Sequence, residues 1–402
     1  MIRVGVVGLG KMGLSHLSML KPHPDVAVAG ICDSTRYVLD VLHRYSGVPT
    51  YTDYARMLDE AGLDAVVIAT PSHLHAPMVE AALERNVHVF CEKPLFLDTR
   101  DGTRLTALAR ERDLVTQVGY HNRFVASFAE VKRLLEANAI GTPVHALAEA
   151  YGPVVLKPQR RSWRSRAAEG GGALYDYAAH PLDLLTWYLG VPSAVDGRVG
   201  HAFSRDADDT VAATVRFGQA NAMLSVNWSD ESQRKMTTKI TIWGTHGRIC
   251  ADRQEIQVYR RVGASPVDGY DTGWNVRYTT DLTETPWFYV RGEEYSAQID
   301  NFVHRVRHHE VDGVNTFTSA GVTDRLISMI ADRAKESGRD AGRPTPDVGT
   351  LNGSIGDAIN GAQAPTRPTV GSILARASVG VGRSSVGRVL RPRYARTGKA
   401  DQ

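Results

Sequence analysis

The sequence predicts an α/β chain: a doubly wound parallel sheet in its N-terminal part, then an α+β domain with a large, mostly antiparallel sheet. Three observations carry this. Short apolar, β-branched runs alternate with helical stretches from Ile2 to about Arg123, as parallel strands buried on both faces require. Later strand-like runs succeed one another almost without helices between them, which implies antiparallel pairing, since parallel strands need crossovers. With 402 residues, 43% of them hydrophobic, the chain exceeds one ordinary core and can build two.

In order, Val4–Val7, Val26–Cys32, Ala65–Ala69 and Val87–Cys91 read as strands of a first domain, residues 1–123. A helical segment, Ser127–Ala139, opens a second domain, residues 124–338. Its strands are expected at Val144–Ala150, Thr210–Phe217, Ala220–Trp228, Thr238–Trp243 and Glu255–Tyr259. Two late helices, Glu293–Arg307 and Ser319–Ala334, either cover that sheet or return to the first domain. Residues 339–402 turn to Gly, Arg, Ser, Pro and Ala, which predicts a disordered basic tail. Interleaved Arg and apolar residues over 370–390 leave contact with anionic lipid as an alternative, opposed by the glycines there.

The formal charge of +3 is unevenly placed: residues 367–402 hold seven Arg and one Lys against Asp401, so residues 1–366 stand at −4. A slightly acidic body lacks the clustered basic face that nucleic acid needs. Three separated cysteines, Cys32, Cys91 and Cys250, show neither a disulfide framework nor a metal-ligand spacing, and point to a reducing compartment. Met1 runs directly into a strand-like stretch, and no 18-residue apolar run occurs, so a cytoplasmic protein without a transmembrane segment is expected.

Strand Val4–Val7 leads into Gly8-Leu9-Gly10-Lys11-Met12-Gly13 and then a helix start. In a G-x-G-x-x-G turn the first Gly makes the bend, the second admits a pyrophosphate and the third lets helix pack on strand. The helix N-terminus then faces the anion. Asp33 ends the second strand, 20 residues beyond Gly13, where a carboxylate accepts from the ribose hydroxyls of NAD and repels a 2′-phosphate. Arg36 opposes this in part, because a guanidinium there can bind that phosphate. NAD is favoured over NADP.

Two further clusters carry chemistry. Thr70-Pro71 with His75, and Glu92-Lys93-Pro94, follow the third and fourth strands, at the carboxyl ends where open α/β sheets bind ligands. They should border the nicotinamide, and a cis bond before Pro94 would aim Lys93, although a Lys after a strand is more often a surface residue. Gly170 to Asp183 places Asp176 and His180 four residues apart, on one face of a helix, where a carboxylate can orient an imidazole. An ordinary helix start with a satisfied histidine gives the same spacing.

Together, Gly8-x-Gly10-x-x-Gly13, Asp33, Ala69-Thr70-Pro71, Glu92-Lys93-Pro94 and Gly170–Asp183 resemble the Gfo/Idh/MocA oxidoreductases, over roughly residues 1–338. The resemblance implies an N-terminal Rossmann domain and a catalytic group of Lys93, Asp176 and His180. His180 would act as general base on a substrate hydroxyl, Lys93 would stabilise the charge on that oxygen, and Asp176 would orient and tune the pair or bind a neighbouring hydroxyl. Ala178 stands where many relatives carry Gly, which narrows the pocket by a methyl.

The cofactor ligands implied are Gly8, Gly10, Lys11, Met12, Gly13, Asp33, Arg36, Thr70, Pro71, His75, Glu92 and Lys93. Tyr120, His121, Asn122, Arg123, Trp163 and Arg164 are expected to join Lys93, Asp176 and His180 around a sugar, polyol or nucleotide-sugar. Segments 230–236 and 291–295 look like relatives from polysaccharide and nucleotide-sugar pathways. Arg160, Arg161, Arg164 and Arg166 read either as a diphosphate clamp or as a solvated surface. A homodimer or homotetramer is expected through the open face of the second sheet. Two rivals stay open: an NAD-dependent glycoside hydrolase and a non-catalytic NAD-binding regulator.

Overall fold

The computed structural model describes residues 1–155, 166, 169–204, 206–286 and 288–340. Strands β1 (Ile2–Val7), β2 (Val26–Cys32), β3 (Thr50–Tyr51), β4 (Ala65–Ile68), β5 (His88–Cys91) and β6 (Thr116–Val118) form one sheet in the order β3-β2-β1-β4-β5-β6. Every pairing in it is parallel. The order reverses between β1 and β4, so their carboxyl ends open the crevice where such sheets take ligands. The β-branched run of β4 is buried throughout, because helices cover both faces.

Those helices are α1 (Lys11–Leu20), α2 (Arg36–Ser46), α3 (Tyr54–Glu60), α4 (His75–Glu84) and α5 (Thr99–Glu111). After α6 (Ala126–Glu136) comes β7 (Pro143–Tyr151), then a π-helical turn, Leu174–Ala178, that runs into α7 (Ala179–Leu189). Strands β8 (Ala194–Gly200), β9 (Thr210–Phe217), β10 (Ala220–Asn227), β11 (Lys239–Gly244), β12 (Gly247–Ala251), β13 (Glu255–Arg260) and β14 (Gly273–Tyr278) complete the second sheet. Its order is β14-β13-β12-β11-β7-β10-β9-β8. All neighbours are antiparallel except β7 and β10, whose parallel pairing admits the first strand into the middle of the sheet.

Along β9 buried and exposed residues alternate, the mark of a sheet with one covered and one open face. Helices α8 (Thr279–Leu282), α9 (Glu293–His308) and α10 (Phe317–Asp340) close the described chain. The two late helices take different routes. Ile299, Phe302, Val303 and Val306 of α9 join Ile2, Val4, Val6 and Leu20 in the core of the first sheet, so α9 returns to the N-terminal domain. Ala320, Leu326, Ile327 and Ile330 of α10 join a continuous core that runs from the other face of the first sheet, with Val66, Ile68 and Val89, to the covered face of the second, with Val211, Val215 and Leu224. Among the described residues no helix is long and apolar enough to cross a membrane.

Candidate active site

The glycine-rich turn is shaped by steric necessity. Gly8 has φ +82°, and a Cβ there would lie 2.7 Å from the Ala69 carbonyl oxygen. A Cβ on Gly13 would fall 1.7 Å from the Gly8 oxygen, so only glycine lets α1 pack this close. Around Gly10 a Cβ would meet nothing within 4 Å, which leaves the backbone open to a ligand. No side chain caps the first turn of α1, so its N–H groups face the crevice as an anion site. Asp33 braces this loop: one carboxylate oxygen accepts from Leu9 N at 2.6 Å, the other from Thr35 N at 2.8 Å. Arg36 starts α2 and is exposed.

Two residues read as cofactor ligands have other partners. His75 is buried, with Nδ1 2.9 Å from the Pro94 oxygen and Nε2 3.0 Å from the Thr70 oxygen. Burial holds its pKa below the ordinary range, against the opposite pull of those carbonyls. The neutral ring has one N–H, which donates to a carbonyl of one loop while the other nitrogen faces a carbonyl of the other, so His75 sits buried between the loop after β4 and the loop after β5. Glu92 places one oxygen 2.7 Å from His16 Nε2, while the other accepts from Lys93 N at 3.3 Å. Burial alone would raise its carboxyl; His16 and then Lys93 together hold it below the usual range. His16 was missed, although it sits three residues beyond Gly13 on α1.

The Lys93-Pro94 bond is cis. From the end of β5, Lys93 Nζ reaches across to the Asp176 carboxylate at 2.9 Å and its carbonyl at 2.8 Å. Both side chains are nearly buried, 12% and 6% exposed, so the pair is poorly screened. Asp176 lies in the π-helical turn, not one α-helical turn before His180. That change of register points its carboxylate at Lys93. The expectation that it orients the imidazole is therefore corrected: Nδ1 of His180 is sealed from solvent without a partner.

Packing orients the imidazole instead. The ring of Tyr120 meets His180 edge-on at 6.5 Å, and that of His121 at 4.9 Å. Burial, then the charges of Lys93 and Arg253, push the His180 pKa well below its ordinary value. At neutral pH the ring is uncharged, as a base must be to accept a proton.

Three residues expected around a substrate lie one layer back. The Tyr120 hydroxyl is sealed in without a partner. Asn122 accepts from Arg253 Nη1 at 3.1 Å through Oδ1. Arg123 donates to both oxygens of Asp183, at 2.8 and 2.6 Å, and its guanidinium lies 5.4 Å from the Trp187 ring. This buried pair fixes α7 and leaves Arg123 no free fork for a ligand. Trp163, Arg164, Arg160 and Arg161 lie outside the described residues, and Arg166 pairs with Glu169.

Sequence reasoning left Arg253 unnoticed. It sits between β12 and β13 and donates to His121, Asn122 and Glu294. Tyr295 stacks on His121, 4.6 Å between ring centres, and Arg291 lies over Tyr295 while donating to Ser15 of α1 at 3.2 Å.

Beneath the Lys93 loop, Asp324 of α10 accepts from Phe96 N at 3.0 Å, while its other oxygen is sealed without a partner. Burial raises this carboxyl to about 7, against the Phe96 and Leu95 N–H groups. Between about pH 4 and 7 the native state thus holds a proton that the unfolded chain has released, so this residue's contribution to stability falls as pH rises through that window. Asp324→Asn is expected to flatten the decline of Tm between pH 5 and 8. An unchanged slope in pH-dependent thermal unfolding would contradict the assignment.

A dinucleotide turn at a sheet's switch point, facing a lysine and a histidine supplied by the two halves of one folded unit, defines the class: an oxidoreductase with an NAD-binding Rossmann domain. Comparison with known proteins narrows it. The GFO/IDH/MocA oxidoreductase family, NAD-binding Rossmann fold, matches residues 2–120, and its C-terminal domain matches residues 128–250. The chain belongs to the Gfo/Idh/MocA oxidoreductase family.

Among relatives, the chain is 28% identical over 264 residues to myo-inositol 2-dehydrogenase of Thermotoga maritima, covering 62% of this chain and 75% of that protein. It is 31% identical over 239 residues to dTDP-3,4-didehydro-2,6-dideoxy-alpha-D-glucose 3-reductase of Streptomyces violaceoruber, covering 55% and 68%. The fold is shared with a levoglucosan dehydrogenase solved with NADH and levoglucosan, at a TM-score of 0.72 and 22% identity over 83% of this chain and 97% of that one.

Proposed function

We propose that the chain is an NAD-dependent dehydrogenase that oxidises a secondary alcohol of a sugar, polyol or nucleotide-sugar, with Lys93, Asp176 and His180 as its catalytic group. The observation that carries this reading is the meeting of Lys93 with Asp176 at 2.9 Å, close to an uncharged His180. The relatives named as acting on inositol and on a dTDP-sugar support the substrate class.

The turn from Gly8 to Gly13 and the first N–H groups of α1 would hold the diphosphate of NAD, and Asp33 the ribose. Bound NAD supplies the hydride acceptor. The chain's own residues handle the proton and the charge. With Nδ1 of His180 sealed, Nε2 is the nitrogen that takes the hydroxyl proton. Two donors of the Lys93 ammonium are engaged by Asp176, which leaves a third for the substrate oxygen, where it stabilises developing negative charge.

The test is a screen of myo-inositol, scyllo-inositol, levoglucosan, hexoses and UDP- and dTDP-sugars with NAD, read as NADH absorbance. Net accumulation of NADH supports oxidation; glycoside cleavage without net NADH supports NAD-recycling hydrolysis instead. NAD is preferred over NADP because Asp33 stands at the end of β2. Asp33→Ala is expected to weaken NAD by about tenfold or more and NADP less; equal losses would remove Asp33 as the ribose ligand.

The open face of the second sheet carries Met223, Trp274, Val276 and Tyr278, each at least 50% exposed. An apolar face of this kind supports a homodimer or homotetramer, and light scattering that returns a monomer would count against it. Three buried, free cysteines are in keeping with a reducing, cytoplasmic setting.

A further inference from the structure

The residues around His121 determine more of its chemistry than the ring alone would. Arg253 Nη1 donates to His121 Nε2 at 3.1 Å and to Asn122 Oδ1 at the same distance. A guanidinium has donors only and does not deprotonate in proteins, so the ring nitrogen it meets must be the acceptor. A neutral imidazole with Nε2 as acceptor carries its hydrogen on Nδ1. Glu294 pairs with Arg253 from the other side and Tyr295 stacks on the His121 ring with an interplanar angle of 19°, so neither the ring nor the guanidinium is free to turn. Nδ1 donates to nothing among the described residues and, unlike Nδ1 of His180, is not sealed from solvent.

We propose that His121 is a substrate-contacting residue whose Nδ1–H, fixed in that tautomer by Arg253, donates to an oxygen on the carbon next to the one oxidised. Arg253 is then a positioning residue that acts through His121. The ring lies 4.9 Å from that of His180, so the two imidazoles can address neighbouring oxygens of one ligand. The ligand class is therefore a vicinal diol, and a lone secondary alcohol loses one of its two anchors. This deepens the dehydrogenase reading and rests on it.

The groups facing His121 keep it neutral. Burial comes first, then His180 on α7, Arg253 between β12 and β13, Lys93 at the end of β5 and Arg291 ahead of α9, all acting to hold its pKa well below the ordinary value. Glu294 and Tyr295 of α9 complete the surround.

The test has a part that needs no substrate. Protein labelled with 15N-histidine, with the His121 signals assigned by their loss in His121→Phe, is followed by NMR from pH 5.5 to 8. The expected result is an Nδ1–H tautomer that does not titrate, and in Arg253→Met a ring that changes tautomer or begins to titrate. An Nε2–H tautomer in the parent protein, or a tautomer and titration unaltered in Arg253→Met, overturns the proposal.

Kinetics form the second part, with myo-inositol, or whichever polyol the screen returns, against its monodeoxy analogue. His121→Phe keeps the stack on Tyr295 but removes both nitrogens. It is expected to raise KM for the polyol about ten- to a hundredfold, to narrow the preference over the deoxy analogue, and to leave KM for NAD unchanged. Equal losses on diol and deoxy analogue would also overturn it. If no alcohol is turned over, the dehydrogenase reading fails and the substrate contact with it, while the tautomer result still reports on Arg253 alone.

Discussion

Lys93→Met is expected to lower kcat/KM by about 10²- to 10⁴-fold, with NAD affinity nearly unchanged. Methionine matches the stem of lysine and keeps its packing, so the loss isolates the ammonium. Two effects follow from removing that charge. The substrate oxygen loses its donor, and the Asp176 carboxylate, 6% exposed, loses its cation. A second signature comes from His180. Lys93 is the largest charge that depresses it, after burial, so in the variant the imidazole recovers part of its basicity and protonates at a higher pH. The acid limb of the pH–rate profile should therefore move upward, because the base must lose its proton before it can act. Steady-state kinetics across pH 5 to 9, with NAD binding measured by calorimetry, decides the matter. A variant within tenfold of the parent, on a substrate confirmed for the parent, would remove Lys93 from the chemistry.

The cofactor half was legible because its signals are local. A buried parallel strand must be apolar on both faces, and the runs at Val26–Cys32 and Ala65–Ile68 announce themselves. The turn at Gly8–Gly13 has spacing fixed by sterics, since a Cβ on Gly13 would fall 1.7 Å from the Gly8 oxygen. Three strands of the second sheet escaped notice for the converse reason. In β14 the side chains are never buried and alternate between partial and full exposure; β8 mixes Asp, Gly and Arg with valine; β12 opens on Gly and Arg, with a short apolar run behind them. They exist because a neighbour offers a hydrogen-bonding edge, which is a tertiary fact.

The site divides the same way. Lys93, Asp176 and His180 stand out as residue types in recognisable segments, and folding brings them together. Arg253 carries no such signal, since an arginine in a strand-to-strand turn reads as solvated. Only the fold places it against His121 and Glu294. Tyr120, Asn122 and Arg123 differ the other way: polar residues beside a functional loop read as ligands from the sequence, while in the fold the Tyr120 hydroxyl is sealed and Asn122 and Arg123 are engaged by Arg253 and Asp183.

Arg123 leads to the largest effect expected on stability. Its side chain is 3% exposed and that of Asp183 is 1% exposed, with two hydrogen bonds between them and a further one from Thr323 to Asp183. Breaking such a pair from one side leaves an uncompensated buried charge, at a cost of about 3–5 kcal/mol. Arg123→Met should therefore destabilise by that order, through the stranded carboxylate. The sign of its pH dependence follows. Burial already pushes the Asp183 carboxyl up, and Arg123 is the main group holding it down. Without the guanidinium, Asp183 titrates higher and keeps a proton in the native state over a wider range, so the loss is smaller at pH 5.5 than at pH 8. The double replacement Arg123→Met with Asp183→Leu removes both charges and should recover much of the loss, which is the behaviour of a coupled pair and not of two independent contacts. Urea unfolding of the four proteins at both pH values measures this directly. A single replacement costing under about 1 kcal/mol, or a double that loses the sum of the two singles, would show that α7 is held by something other than this pair.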